Sequence, residues 1–151
     1  MQKKLEQLLQ QEDIQHEIIE HEAVVTMEDV ERILKIPRNT TAKTLVVKLR
    51  DSFVIVVLRG DCRLDKKKLA DILGISRKHL DLVKKEEVEK LMGVPLGAIP
   101  PFGFDHPVVM DEKVTRLDWV FCGFGSLTRT LKIQPKDIVN LTKAIIGDIS
   151  S

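Results

Sequence analysis

The sequence has few of the residues on which many kinds of site depend. Its 151 residues include no tyrosine, one tryptophan and two cysteines, Cys62 and Cys122. Two cysteines cannot build a disulfide framework or a four-cysteine zinc site, so we expect two buried thiols in a reducing cytoplasm. The four histidines show no metal-ligand spacing, and neither a metal nor a cofactor is expected.

Long apolar runs and the common catalytic signatures are also missing. The longest apolar run, 53–58, is far below the roughly 18 residues that a membrane span needs. The N-terminal residues lack the apolar stretch of a signal peptide. There is no GxSxG elbow, no Walker loop and no GxGxxG segment after a strand. These absences argue against a membrane-spanning protein and against a P-loop or Rossmann nucleotide site. A serine–histidine–acid triad stays possible, because its members come together only in the folded structure.

The charge is balanced in total and uneven along the chain. The formal net charge is +1, which argues against a protein that coats DNA or any long duplex. Residues 1–35 carry four basic and nine acidic side chains, whereas residues 36–90 carry fourteen basic and eight acidic ones. The basic segment is either a solvated surface or a local face that contacts a few phosphates.

The periodicity predicts an α+β fold: one compact domain over residues 1–151, with a mostly antiparallel sheet surrounded by helices. Leucines at helical spacing place an N-terminal helix within residues 1–20. Strands are predicted at 44–49, 53–58, 80–83, 108–110, 119–124 and 128–133. Further helices are predicted from Thr26 to before Pro37, from Asp65 to Gly74, at 86–92, and from Pro135 through Ile145.

The most informative segment is 93–103, which holds three glycines and three prolines in eleven residues. Neither a helix nor a strand tolerates that density, so the segment is a structured loop. Such a loop can bind an anion or form an oxyanion hole with main-chain N–H groups alone. A purely structural connection is an equal alternative.

Lys43 is the second candidate, since it precedes an apolar strand whose buried end could hold its ammonium in a cleft as a phosphate ligand. The alternative is a lysine in solvent. Thr26 fits a helix cap, and His21 is either a core residue or a pocket wall. The Gly125–Ser126 turn is a possible contact. Lys66, Lys67 and Lys68 form either a solvated helix face or a surface that contacts an RNA backbone. Asp111 and Asp118 are turn or cap residues.

Several segments in this order are similar to one family. They are Thr26 opening a helix, AKTLVVK at 42–48, LRGD at 58–61, LDKKKL at 64–69, GVPLGAIPPFG at 93–103, Asp111, and GFGS at 123–126. Across residues 20–148 the chain resembles the YbaK/ProX family, stand-alone relatives of the editing domain inserted in bacterial prolyl-tRNA synthetases. The 43–46 and 97–103 segments together carry most of the resemblance.

The resemblance implies a barrel-like sheet and a deacylase that hydrolyses mischarged aminoacyl-tRNA, with alanine or cysteine on tRNA(Pro) as substrates. It implies that Lys43 anchors the phosphate beside the terminal adenosine, and that the main chain at Gly97, Ala98 and Ile99 holds the ester. The water would be oriented by the substrate's ribose 2′-hydroxyl, without a metal. The other expected substrate-binding residues are Thr26, His21, Gly93, Pro101, Phe102, Gly103, Gly125 and Ser126.

The implied partners are a tRNA acceptor end and an aminoacyl-tRNA synthetase. Two features separate this chain from some members of the family. Those members have a tyrosine on the N-terminal side of the pocket, and an acidic residue in the strand that here reads Thr128-Arg129-Thr130. The amino acid that is removed is therefore left open. A binding module that holds an acceptor end or nucleotide without turnover, and an unrelated hydrolase with an unseen triad, are the alternatives.

Overall fold

The apolar run at 53–58 forms the centre of the larger sheet in the computed structural model, which describes residues 1–151. This run lies in β3 (Ser52–Arg59), and the sheet has the order β4-β2-β3-β5-β8. The other strands are β2 (Ala42–Leu49), β4 (Leu80–Leu82), β5 (Val108–Asp111) and β8 (Ile145–Gly147). β2 and β3 form the predicted antiparallel hairpin, with Ala42 opposite Arg59 and Leu49 opposite Ser52.

A second, three-stranded sheet is antiparallel throughout and has the order β1-β7-β6. Its strands are β1 (His16–Glu20), β6 (Val120–Gly123) and β7 (Arg129–Ile133). One isolated bridge, between Thr41 and Phe121, links β6 to the start of β2. The two sheets therefore meet where β2 begins, but continuous strand pairing does not close them into a barrel.

Six helices surround the sheets, and their ends follow local sequence signals. They are α1 (Gln2–Gln11), α2 (Met27–Asp29), α3 (Lys66–Leu73), α4 (Lys85–Met92), α5 (Glu112–Thr115) and α6 (Pro135–Thr142). Asp65 caps α3 by accepting a hydrogen bond from the Lys68 N–H, and Gly74 ends that helix in the left-handed conformation. No helix of the structure is long and apolar enough to cross a membrane.

The core lies on both faces of the larger sheet because β3 is buried on both. Ile55 and Val57 face the core between the two sheets, together with Leu5 and Leu9 of α1. Val54, Val56 and Leu58 face the opposite side and pack with Leu69 and Ala70 of α3. A strand in this position needs apolar residues at every site, which explains the unbroken run in the sequence.

The α+β prediction with a mostly antiparallel sheet is confirmed, although two strand pairs are parallel: β3 with β5, and β5 with β8. The expected continuation of the last helix to Ile145 is wrong. The helix ends at Thr142, Lys143 adopts a left-handed conformation, and Ile145 begins β8. The helix predicted after Thr26 begins as α2 and continues as a π-helical turn, Val30–Leu34.

Asp111 does not act as the turn or cap residue that the sequence predicted. It stands at the N-terminus of α5, but its side chain makes no capping hydrogen bond. Its fully buried carboxylate instead accepts hydrogen bonds from the Ile149 N–H (3.1 Å) and the Ser150 hydroxyl (2.8 Å). A buried carboxylate thus fixes the chain after β8.

Candidate functional site

A cleft of about 490 Å³ opens where the start of β2 meets β6. Its walls come from β2, β6, β7, α2, α4 and the glycine- and proline-rich loop. Of the residues singled out in the sequence, five line this cleft: Thr26, Lys43, Gly97, Ile99 and Ser126. The fold therefore brings together segments that are up to 100 residues apart in the chain.

Lys43 is a partly buried cation without a carboxylate partner. It lies on β2, and its ammonium forms neither an ion pair nor a hydrogen bond within the chain. Burial lowers the pKa of Lys43 from its ordinary value, while the neighbouring Cys62 and Asp61 oppose that shift. Asp61 is held by Arg59, whose Nε and Nη2 donate to its two carboxylate oxygens at 2.6 and 3.0 Å. The lysine is thus free to bind an anion in the cleft.

The loop presents a short 3₁₀ turn, Leu96–Ala98, to the cleft. The Leu96 N–H donates to the Glu89 carboxylate at 2.8 Å, and the Ala98 N–H donates to the Pro95 carbonyl oxygen at 2.9 Å. Glu89 lies on α4 and also lines the cleft, so the helix anchors the turn. Since these two N–H groups are engaged, the N–H groups of Gly97 and Ile99 are the turn's candidates for contact with a ligand.

Two glycines allow the turn to sit this close to its neighbours. A Cβ at Gly97 would lie 2.5 Å from the Val25 carbonyl oxygen, and one at Gly123 would lie 2.7 Å from the Ile99 oxygen. Real Cβ atoms essentially never come within 3.0 Å of a non-bonded atom, so any side chain at either position would push the turn away. Glycine is therefore required at both sites by space rather than by backbone angle.

A third polar group in the cleft is unexpected from the sequence. Thr44, the residue after Lys43, lines the cleft and is only 7% exposed, and its buried hydroxyl has no hydrogen-bond partner. Buried hydroxyls are normally paired, so an unpaired one in a residue of the cleft wall is unusual. Thr44 belongs to the 42–48 segment that carries the family resemblance, but nothing in that segment indicates that its hydroxyl is unpaired.

The cysteine on the cleft wall is not a nucleophile. Complete burial raises the pKa of the Cys122 thiol, so the thiolate required for attack does not form. No group of three or more His, Cys, Asp or Glu side chains in the structure could hold a metal ion. The cleft offers the partly buried Lys43 ammonium, the exposed Lys85 ammonium, main-chain donors and hydroxyls, which can bind a phosphate and polarise a carbonyl.

Arg129 contributes a further cation to the wall, beside Lys43 and Lys85, and the N-terminal helix fixes it. Its guanidinium donates to Gln2 at 2.6 Å and to Glu6 at 2.9 Å, both on α1. It also lies over the Phe124 ring, 5.2 Å from the centroid. These contacts engage Nη1 and Nη2, while the buried Nε has no hydrogen-bond partner. Arg129 is thus held in place by α1, whereas Lys43 has no partner within the chain.

Thr26 and Ser126 line the cleft, and each is also engaged locally. The Thr26 hydroxyl accepts the Asp29 N–H in a capping box, so the predicted cap is present. The Ser126 hydroxyl shares a hydrogen bond of 2.9 Å with Thr128. His21 is not on the wall, but its Nε2 lies 2.7 Å from the hydroxyl of Thr130, which is on the wall.

Six of the singled-out residues lie away from the cleft surface: Gly93, Ala98, Pro101, Phe102, Gly103 and Gly125. Phe102 belongs to the main core, and Gly93 ends α4. Ala98 and Gly125 join the loop to the turn after β6 through a hydrogen bond from the Gly125 N–H to the Ala98 oxygen, 2.8 Å long.

One of the three lysines of α3 is engaged within the chain. Lys68 donates to both carboxylate oxygens of Asp148, at 3.1 and 3.0 Å, and to the Ser150 carbonyl oxygen. This ion pair raises the pKa of Lys68. The lysine therefore ties the helix to the C-terminal segment, and only Lys66 and Lys67 remain as cations on that face.

Comparisons with known proteins point in one direction. A family model described as an aminoacyl-tRNA editing domain matches residues 21–141. A proline–tRNA ligase of Thermoanaerobacter sp. (strain X514) is 32% identical over 120 residues, which are 76% of this chain and 21% of that protein. A proline–tRNA ligase of Thermotoga sp. (strain RQ2) is 36% identical over 94 residues. The chain thus spans about a fifth of the length of the curated relatives it matches.

Solved structures share the fold over nearly the whole chain. The hypothetical protein APE2540 superposes with a TM-score of 0.89 at 24% identity, covering 98% of this chain and 99% of its own. A protein described as a candidate trans-editing enzyme for prolyl tRNA synthetase superposes with a TM-score of 0.83 at 21% identity. It covers 99% of this chain and 96% of its own.

Proposed function

This chain belongs to the aminoacyl-tRNA editing domain family, and on that premise we propose that it hydrolyses the ester bond of mischarged aminoacyl-tRNA as a separate, trans-acting deacylase. The proposed substrates carry a small amino acid such as alanine or cysteine, on tRNA(Pro). The proposed partners are the tRNA acceptor end and an aminoacyl-tRNA synthetase. A proline–tRNA ligase among the relatives supports the choice of tRNA.

The observation that carries the proposal is the unpaired ammonium of Lys43 in the same cleft as the Leu96–Ala98 turn. In this assignment Lys43 binds the phosphate next to the terminal adenosine as a point charge. The N–H groups of Gly97 and Ile99 bind the ester carbonyl oxygen. Thr26 and Ser126 border the bound aminoacyl group.

The chemistry required is modest, which suits a site without a classical triad. An aminoacyl ester is already activated, so the enzyme has to place a water molecule and stabilise the developing oxyanion. We propose that the ribose 2′-hydroxyl of the substrate orients this water. The cleft then selects by size, although one methylene group changes binding by only about 1–3 kcal/mol.

The experiment that tests the proposal is a deacylation panel with tRNAs charged with alanine, cysteine, proline or serine. We expect loss of the ester from at least one small aminoacyl-tRNA under single-turnover conditions, and slower loss from the cognate prolyl-tRNA(Pro). If an acceptor-end analogue binds tightly and no ester is lost from any substrate, the protein is a binding module and the deacylase assignment is wrong.

The salt dependence of binding tests the second part of the proposal, that the basic segment 36–90 meets the acceptor stem. Binding that neutralises a few phosphates weakens as salt rises, because releasing condensed counterions into a more concentrated salt solution gains less entropy. We expect the affinity for the charged tRNA to fall between 50 and about 200 mM salt. An affinity that does not change with salt would place the stem elsewhere.

A further inference from the structure

A histidine behind the cleft is coupled to a threonine on its wall. His21 follows β1, and its ring makes two hydrogen bonds: Nδ1 with the Glu22 carbonyl oxygen at 2.6 Å, and Nε2 with the Thr130 hydroxyl at 2.7 Å. Thr130 lies on β7, lines the cleft and is 8% exposed. The two residues are 109 positions apart in the chain, so the pair exists only in the fold.

The first of these hydrogen bonds fixes the direction of the second. A carbonyl oxygen can only accept, so Nδ1 carries the proton and donates it to Glu22. In the neutral ring Nε2 then has a lone pair and accepts the proton of the Thr130 hydroxyl. The remaining lone pairs of the threonine oxygen are left to accept a hydrogen bond from a group in the cleft. The same order, carbonyl to imidazole to hydroxyl, is what a proton relay requires.

The Thr130 hydroxyl is also close to the place where the ester is proposed to lie. Thr130 pairs with Gly123 across the β6–β7 ladder. Gly123 in turn packs against the main chain of Ala98 and Ile99, with no room for a side chain between them. Neighbouring strands lie about 4.8 Å apart, so Thr130 is one strand spacing from Gly123, and Gly123 contacts the turn that offers the carbonyl-binding N–H groups.

Other groups in the cleft do not offer this function. The only carboxylate on the wall, Glu89, accepts the Leu96 N–H. The Cys122 thiol stays protonated, and the Lys43 ammonium has no lone pair while charged. A ribose hydroxyl can orient water but is too weak a base to take its proton. An acceptor for that proton is therefore missing from the proposed mechanism unless the Thr130–His21 pair supplies it.

We propose that Thr130 and His21 form a proton relay for the hydrolytic water, an inference that rests on the deacylase function proposed above. Water gives a proton to the Thr130 oxygen while the threonine proton passes to His21 Nε2. The resulting hydroxide attacks the ester carbonyl carbon and forms a tetrahedral oxyanion. When the oxyanion collapses, the C–O bond to the ribose breaks, and the imidazolium returns a proton through Thr130 to the departing ribose oxygen.

The test compares single-turnover deacylation with binding of a non-hydrolysable amide analogue of the acceptor end. Thr130→Val keeps the shape and removes the hydroxyl, so we expect the rate to fall about 10²-fold or more with analogue affinity within about threefold of the parent. Thr130→Ser keeps the hydroxyl and should retain most of the rate. His21→Ala should lose a similar factor, and added imidazole should restore part of it unless Thr130→Val is also present.

His16→Ala is the matched control. His16 is the first residue of β1, the strand that His21 follows. Its Nδ1 also bonds a main-chain carbonyl oxygen, that of Ile14 at 2.8 Å, but it has no threonine partner. This variant should keep the parent rate and show no response to imidazole. Thermal unfolding of all variants identifies any loss that comes from folding, and Thr130→Ser remains informative if Thr130→Val is unstable.

Three results would overturn the relay. One is a parent-like rate in Thr130→Val, and the second is an acyl-threonine intermediate at position 130 found by mass spectrometry. The third is an NMR measurement on the free protein that finds the proton of the neutral His21 ring on Nε2 and not on Nδ1. If the parent protein deacylates no aminoacyl-tRNA, the proposed function fails, whereas the NMR result still decides whether the hydrogen-bonded pair has the polarity described.

Discussion

Replacing Lys43 with methionine should weaken substrate binding without weakening the fold. Methionine keeps an unbranched side chain of similar length and removes the charge. In the folded protein the ammonium is partly buried, unpaired and lowered in pKa by that burial. Its charge therefore contributes nothing to folding through an ion pair, and we expect the Tm of Lys43→Met to equal or exceed that of the parent.

The loss of binding can be estimated from the contact that the charge would make. A hydrogen bond to a charged group contributes about 1.5–3 kcal/mol, which corresponds to roughly 10- to 150-fold in affinity. A full Coulomb interaction of about 4 kcal/mol at 4 Å, with an effective dielectric constant of 20, sets the upper limit. The deacylation rate at subsaturating substrate should fall by at least the same factor.

The assay is fluorescence anisotropy with the amide analogue of the acceptor end, paired with single-turnover deacylation and thermal unfolding. Lys48→Met is the matched control, because Lys48 lies on the same strand, is exposed and is not on the cleft wall. That variant should change neither binding nor rate by more than about twofold. Parent-like binding and rate in Lys43→Met would refute the assignment, and a large fall in Tm would refute the view that the ammonium is unpaired.

Three further predictions follow from named contacts. Binding of the analogue should decrease as pH rises through the pKa of Lys43, which lies below its ordinary value of 10.5. Lys43→Arg should remove that decrease. An affinity of the parent protein that does not change with pH would contradict the prediction. Gly97→Ala places a Cβ 2.5 Å from the Val25 oxygen, so urea unfolding should show a loss of about 1–3 kcal/mol together with slower deacylation, and unchanged values would show that the turn can move freely. Asp111→Ala leaves the Ile149 N–H unpaired and should lower stability by about 1–3 kcal/mol while deacylation of the folded fraction is unchanged; a selective loss of activity would count against a purely structural role.

The parts of the fold that depend on local signals were predictable. The unbroken apolar run of β3, the Asp65 cap and Pro135 at the start of α6 all act within a few residues of their own position. Ile145 was misassigned because its spacing continues the helical pattern of α6. What decides its strand state is pairing with Val109 of β5, and a single sequence does not contain that information.

The candidate site was likewise predictable only where its residues lie in recognisable sequence segments. Lys43 and the segment around Gly97 were identifiable because both belong to motifs of the family, and the family resemblance is confirmed. The partners of these residues were not identifiable, since Glu89 and Thr130 reach the cleft only through tertiary packing. The absence of an acidic residue at 128–130 gave a signal that this wall differs from some relatives, but not that a histidine would stand behind it.

The cleft exists only when the two sheets are docked against each other, because it lies at the junction of β2 and β6. Its ammonium comes from one sheet and its hydroxyls partly from the other, and the single Thr41–Phe121 bridge is the only strand pairing across the joint. A compact intermediate in which every strand is formed but the two sheets are slightly apart would keep its far-UV circular dichroism signal. It would have no assembled cleft. In an unfolding titration, ligand binding should therefore be lost at a lower denaturant concentration than strand content.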